Sequence, residues 1–92
     1  MFDYSEGQLV ISKAGRDKGR ILIILHINSD YVYIADGKTR KIEQPKVKKK
    51  KHVQIVNYID KILKEKLENS EKINNSDIRK AIEKYTRGYC LG

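Results

Sequence analysis

The hydrophobic pattern of this 92-residue chain changes its period once, close to Val56. Before that point the apolar residues fall in short runs rich in Ile, Val and Tyr, separated by turn residues, which is typical of β-strands. After it they recur every three or four residues, as in amphipathic helices. A chain of this length has room for one small module. The pattern therefore predicts a mainly β fold with α, in which about five strands are followed by two short helices.

The β-like part contains five apolar runs with turn residues between them. They predict strands over residues 8–13, 20–27, 30–35, 39–43 and 52–56. A tight turn is expected at Asn28-Ser29-Asp30. Asp36-Gly37 predicts a type I′ hairpin between the third and fourth strands, because this turn needs the positive φ that glycine accepts. So many short strands in this length predict a small β-barrel over residues 1–56.

The remaining residues, 57–92, predict a helical extension. The first helix is indicated by an apolar stripe at Ile59, Ile62, Leu63 and Leu67, with possible ion pairs Asp60–Lys64 and Lys61–Glu65. The second is indicated by N-capping residues at Asn75-Ser76-Asp77, a stripe at Ile78, Ala81, Ile82 and Tyr85, and a stop at Gly88. Helices this short are not stable alone. We expect their stripes to pack on each other or to close one end of the barrel.

The charge of the chain indicates a polyanionic partner. Lys and Arg total 20 against 12 for Asp and Glu, so the formal net charge is 20 − 12 = +8. Residues 1–56 hold 12 − 6 = +6 of it and residues 57–92 hold 8 − 6 = +2. A basic excess on one module favours nucleic acid as the partner. The longest apolar run, residues 21–25, is too short to span a membrane, so no membrane association is expected.

Cysteine use and the N-terminal sequence favour a cytoplasmic location. The chain has one cysteine, Cys90, which cannot form an intramolecular disulfide. The N-terminal residues do not combine a basic flank with an apolar stretch of signal-peptide length. A reducing compartment is the expected environment.

Two basic segments are the most informative local features. In residues 13–20, Gly15 and Gly19 punctuate a basic loop between two apolar runs, and glycine leaves peptide N–H groups open to a phosphate oxygen. Residues 46–52 hold five lysines in seven positions, and such crowding of like charge favours an anionic partner. Lysine is a point charge that positions a nucleic-acid backbone and reads sequence poorly, so recognition of shape is expected. Arg16, Arg20 and Arg40 are suited to bidentate phosphate contacts or base stacking, although Arg20 is equally suited to an ordinary ion pair.

The order of these features resembles the KOW motif. An apolar strand, a basic loop with a key glycine, here Gly19, and a second apolar strand are followed by the stretch 31–40, by Pro45-Lys46 and by Lys51-His52. Residues 6–56 are similar to bacterial KOW-domain RNA-binding proteins related to the large-subunit ribosomal protein of the fourteen-e type. The resemblance implies an SH3-like barrel and binding to structured RNA, above all ribosomal RNA. The two helices depart from the ribosomal proteins, although residues 78–82 resemble a helix found in related bacterial proteins.

The expected function is therefore non-catalytic binding of structured RNA, with large-subunit ribosomal RNA as the first candidate. The candidate contact residues are Lys13, Gly15, Arg16, Lys18, Gly19, Arg20, Lys38, Arg40, Lys41, Lys46, Lys48, Lys49, Lys50, Lys51 and His52. One alternative is a protein-interaction adaptor of the transcription or translation machinery, with ribosomal or transcription proteins as partners, which would expose Ile78, Ile82 and Tyr85. Another is a general DNA-binding protein, which rests on charge alone.

The remaining polar and aromatic residues do not indicate an enzyme, a metal site or a cofactor. His26 and His52 are far apart, with only Cys90 as a further soft ligand. The 15–19 loop lacks the spacing of a nucleotide-binding phosphate loop. Tyr31 and Tyr33 share one face of a strand. We expect them to pack in the barrel or beneath the helices, the alternative being an exposed pair that stacks on unpaired bases.

Overall fold

The computed structural model describes the backbone of residues 4–91 and the side chains of residues 4–87. Its strands are β1 (Gln8–Ser12), β2 (Ile21–Asn28), β3 (Tyr31–Ala35), β4 (Lys46–Lys49) and β5 (Val53–Ile59). A one-turn 3-10 helix (Lys50–His52) lies between β4 and β5, and the helices α1 (Lys61–Glu68) and α2 (Asn75–Leu91) follow. The prediction of five strands followed by two C-terminal helices is confirmed.

The strands form one antiparallel sheet in the order β4-β3-β2-β1-β5. Within the described residues the sheet is not closed, because β4 and β5 are its two edges. The 3-10 helix Lys50–His52 connects those two edges directly. The predicted turn between β2 and β3 is confirmed, with Asn28 paired to Tyr31 and Ser29 at a φ of 57°.

The fourth strand begins at Lys46, seven residues beyond its predicted start at residue 39. Residues 39–43 form no strand, and β4 instead lies in the lysine run, for which no strand was predicted. The Asp36 carboxylate accepts hydrogen bonds from the backbone N–H groups of Lys38 and Arg40, at 2.9 and 2.8 Å, and closes a local turn there. Asp36 lacks the positive φ that a type I′ turn requires at its first central position, so that prediction is wrong. Lysines on β4 suit a sheet edge, because charge discourages pairing with further strands.

Both faces of the sheet bury apolar side chains. One face holds a cluster of Val10, Leu22, Ile24, Val32, Ile34 and Val53. The other face meets the helices, in a cluster of Leu9, Ile23, Val56, Leu63, Ile78 and Ala81. Successive strand residues point to opposite faces, so neighbours such as Leu9 and Val10 enter different clusters. The apolar stripes of both helices thus meet on one face of the open sheet, where Leu63, Ile78 and Ala81 share a cluster with strand residues.

The first helix begins later than its apolar stripe suggested. Asp60 is its N-cap, and the carboxylate accepts a hydrogen bond from the Leu63 N–H at 3.0 Å. Ile59 therefore belongs to β5. The ion pairs found among the described residues include neither Asp60–Lys64 nor Lys61–Glu65. Ile62 was expected on the buried stripe but is 60% exposed, because Leu63 takes the position that faces the sheet.

The second helix is capped one residue before the predicted site and runs past the predicted stop. The Asn74 side chain accepts from the Asp77 N–H at 2.9 Å, and the Asp77 carboxylate accepts from the Asn74 N–H at 3.0 Å. The Asn75 Oδ1 atom instead accepts a hydrogen bond from the Ile42 N–H at 2.9 Å, which links the start of α2 to the β3–β4 connection. The helix continues through Gly88 to Leu91, since glycine weakens a helix without ending it.

Candidate nucleic-acid interface

Three basic segments that are separate in sequence adjoin one another in the fold. The Lys13 N–H donates to the His52 carbonyl at 2.9 Å, which joins residues 13–20 to the end of the lysine run. Arg20 Nη1 donates to Thr39 Oγ1 at 2.7 Å, which joins the same loop to residues 38–41. We call these three segments, residues 13–20, 38–41 and 46–52, the basic rim. All fifteen candidate contact residues belong to it.

The β1–β2 loop has a backbone that requires glycine at two positions. Gly15 and Gly19 have φ values of 77° and 88°, a region that other residues rarely adopt. The Gly19 N–H donates to the Ser12 carbonyl at 2.8 Å and closes the loop. A Cβ added at Gly19 would meet nothing within 4 Å, so the space outside this backbone is open. The N–H groups of Lys18, Gly19 and Arg20 are all donated to nearby carbonyls, so the expectation that glycine leaves peptide N–H groups open to a phosphate is wrong at these three residues.

Two of the predicted contact residues hold the loop from inside. Asp17 is 3% exposed, and its Oδ2 accepts from Arg40 Nε at 3.2 Å and Nη2 at 3.1 Å. Lys48 is 9% exposed, and its Nζ donates to the Ala14 carbonyl. Arg40 and Lys48 thus hold the loop through Asp17 and Ala14. Their contact with RNA stays a prediction. The sequence pattern did not indicate that Asp17 is buried.

Replacing Arg40 by Met is expected to lower the free energy of unfolding by about 1–3 kcal/mol, because it leaves the buried Asp17 carboxylate unpaired. Urea unfolding measures this loss, and amide hydrogen exchange at Lys18 and Arg20 should speed up as the loop loosens. Lys41→Met is the matched control, since Lys41 is exposed and adjacent, and it should change stability by less than about 0.5 kcal/mol. Equal effects of the two substitutions would show that Arg40 does not anchor the loop.

The remaining basic side chains of the rim differ in how freely they face solvent. Those that are exposed and form no ion pair with another described residue are Lys13, Arg16, Lys18, Lys38, Lys41, Lys49 and Lys51. His52 is exposed as well, whereas Lys46 and Lys50 are half-buried. Lys50 Nζ lies 5.3 Å from the centre of the Tyr4 ring, a cation–π contact. Arg20 takes the ion-pair alternative, with Nη1 3.6 Å from Asp36 Oδ2.

A cleft beside the rim adds basic residues that sequence reasoning missed. It has a volume of about 970 Å³ and lies between α2 and the residues Arg20 and Lys38. The helix contributes Arg79, Lys80 and Arg87 to its lining. Arg79 Nη1 donates to the Gly37 carbonyl at 2.8 Å, which docks the helix onto the turn after β3. The sequence shows these residues on the polar side of the helical stripe, but only the docking places them beside the rim.

The adaptor alternative required an exposed apolar patch on α2. Ile78 is fully buried, and Ile82 and Tyr85 are half-buried against the same apolar cluster. Tyr85 packs against Tyr58, with ring centres 5.2 Å apart. That face of the helix is therefore used to hold the sheet.

The described residues were also compared with the requirements of a membrane-spanning helix and of a three-ligand metal site. They contain no helix long and apolar enough to cross a membrane. They also contain no group of three His, Cys, Asp or Glu side chains placed to hold a metal ion, and the Cys90 side chain lies outside the described residues. No protein-family model matches the sequence, and no curated protein matches it significantly.

Proposed function

We propose that this protein is a non-catalytic, cytoplasmic RNA-binding protein that docks on structured RNA, foremost large-subunit ribosomal RNA, through the basic rim. The observation that carries the proposal is the meeting of the three basic segments, through Lys13–His52 and Arg20–Thr39, around a glycine loop with an open outer surface. The choice of RNA over other polyanions comes from the KOW resemblance of residues 6–56. The strand order and the 3-10 connection between the two edge strands are the features that favour an SH3-like barrel.

The rim acts by holding its charges in place before the ligand arrives. Asp17, Arg40 and Lys48 order the glycine loop from beneath, so little backbone freedom is lost when a phosphate binds to it. The exposed lysines then neutralise phosphates and release condensed counterions, which makes binding strongly dependent on salt. Few of the free cations are arginines, so the rim recognises the spacing of a folded backbone more than the identity of bases.

Binding to a fragment of large-subunit ribosomal RNA, compared with duplex DNA of the same length at matched salt, tests the proposal. We expect the RNA to compete more strongly at every salt concentration. Ultraviolet crosslinking in cells, followed by sequencing of the attached RNA, should then give reads clustered on one or two ribosomal RNA sites. Equal competition by DNA would support the general DNA-binding alternative, and recovery of little RNA from cells would overturn the proposal.

A further inference from the structure

An aromatic surface lies at the end of the β2–β3 hairpin, beside the basic rim. It consists of His26, Tyr31 and Tyr33, and we call it the aromatic platform. Tyr31 is 42% exposed and Tyr33 is half-buried, which corrects the expectation that both rings pack in the core. The His26 and Tyr33 rings lie 5.5 Å apart between centroids, at an angle of 53°. His26 is itself exposed, so the platform presents aromatic groups to solvent.

The helical side chains that the structure describes leave this end of the sheet uncovered. Val32 and Ile34 point into the apolar cluster on one face, so Tyr31 and Tyr33 point to the opposite face, the one on which the helices pack. The helices dock at the other end of that face, where Ile23 enters their apolar cluster. Neither tyrosine contributes to that cluster. Among the described residues, Tyr31 is therefore left exposed and Tyr33 half-buried, both outside the two apolar clusters.

The two sides of the aromatic platform differ in charge, with a lysine on one side and a glutamate on the other. Tyr31 pairs across the strands with Lys49, an exposed lysine of the basic rim. Directly opposed side chains on neighbouring strands have Cβ atoms about 5 Å apart, so the Tyr31 and Lys49 side chains leave the sheet next to each other on one face. On the far side, Glu6 Oε2 lies 3.7 Å from His26 Nδ1 and disfavours a second anion. An aromatic ring with a lysine on one side suits one nucleotide. The base stacks on the tyrosine ring, and the phosphate contacts the lysine.

We propose that the aromatic platform stacks an unpaired base of the RNA whose backbone the basic rim holds, an inference that rests on the proposed function. The ligand class is then narrower than structured RNA in general. It is an RNA helix with a bulged or looped nucleotide next to the phosphates that Lys49 contacts. Stacking on tyrosine tolerates any base, because every base has an aromatic face, so the platform selects an unpaired position and not a sequence.

Three hairpin RNAs test the stacking. One carries a single bulged adenosine in its stem, the second has an abasic residue at the bulge, and the third is fully paired. Tyr31→Leu should weaken binding of the adenosine-bulged hairpin by roughly fivefold to a hundredfold, the range for loss of one base–aromatic stack. It should leave the affinities for the abasic and paired hairpins within about twofold, because those lack the base that stacks. Tyr31→Phe is the matched control, since it keeps the ring, and should bind all three hairpins like the unmodified protein.

The ring protons of Tyr31 give an independent readout by NMR. They should shift upfield when the adenosine-bulged hairpin is added and should not shift when the abasic hairpin is added. If the unmodified protein binds all three hairpins and Tyr31→Leu binds them equally well, the stacking proposal is overturned while the proposed function stands. Equal losses on all three hairpins would also overturn it, because they would assign Tyr31 a structural role. Failure of the unmodified protein to bind any hairpin would count against the proposed function itself.

Discussion

A fourfold glutamine variant of the basic rim is expected to bind structured RNA about a thousandfold more weakly than the unmodified protein at roughly 0.1 M salt. The four substitutions are Lys13→Gln, Lys18→Gln, Lys49→Gln and Lys51→Gln, all at exposed positions. Each lost phosphate contact removes about 0.9 from the slope of log affinity against log salt concentration, so the slope should fall by about 3.6. Titration at four or more salt concentrations measures both quantities.

The matched control removes the same charge from outside the rim. Its substitutions are Lys61→Gln, Lys66→Gln, Lys72→Gln and Lys84→Gln. The slope should change by less than about one unit in this control, because these side chains lie outside the three segments that form the rim. An equal fall in both variants would mean that net charge alone drives binding and that the rim is not a site. Lys48 is left out of the set because its ammonium group is already bound to the Ala14 carbonyl.

Replacing Ile78 by Ala is expected to lower the free energy of unfolding by about 2–5 kcal/mol. Ile78 is fully buried between α2 and the sheet, so the shorter side chain leaves a cavity in the cluster that also holds Leu9 and Ile23. The loss is a large fraction of the stability of a small domain. Urea unfolding followed by circular dichroism measures it.

Ile62→Ala is the control for this prediction. It removes the same atoms from a helix, but Ile62 is 60% exposed, so stability should change by less than about 0.5 kcal/mol. A small effect at Ile78 as well would show that α2 does not dock on the sheet. The Tyr58–Tyr85 contact gives a second readout, because near-ultraviolet circular dichroism of the tyrosines should weaken when α2 undocks.

The local sequence pattern was sufficient to predict those elements whose structure depends on residues close to one another in the chain. The turn at Ser29 was predictable because its polar residues separate two strong β patterns. The stripe of α2 was predictable because apolar residues that recur every three to four positions share one face of a helix but alternate between the faces of a strand. The fourth strand was not predictable in this way. Its lysines have low β propensity, and they form a strand because the free edge of β3 offers hydrogen bonds from Tyr31 to Ile34.

In the candidate site, too, some features follow from local sequence and others depend on contacts between residues distant in sequence. The glycine loop and the lysine run were visible as basic segments, and the structure places them side by side. The sequence did not show which basic side chains have no partner within the protein. Those partners are distant in sequence, such as Asp17 for Arg40 and Ala14 for Lys48. The cleft residues Arg79 and Lys80 were missed for the same reason.

Residue chemistry and spacing by themselves determined that this chain makes strands and then helices, carries its basic excess in residues 1–56, and has a glycine-punctuated loop. Those properties depend on interactions between residues a few positions apart, which a linear pattern records. The tertiary structure alone decided that Lys48 is buried while Lys49 is exposed, and that Tyr31 stands beside Lys49 on an open surface. Strand pairing sets such neighbours, and a shift of one residue in register would exchange the faces of every side chain on β4.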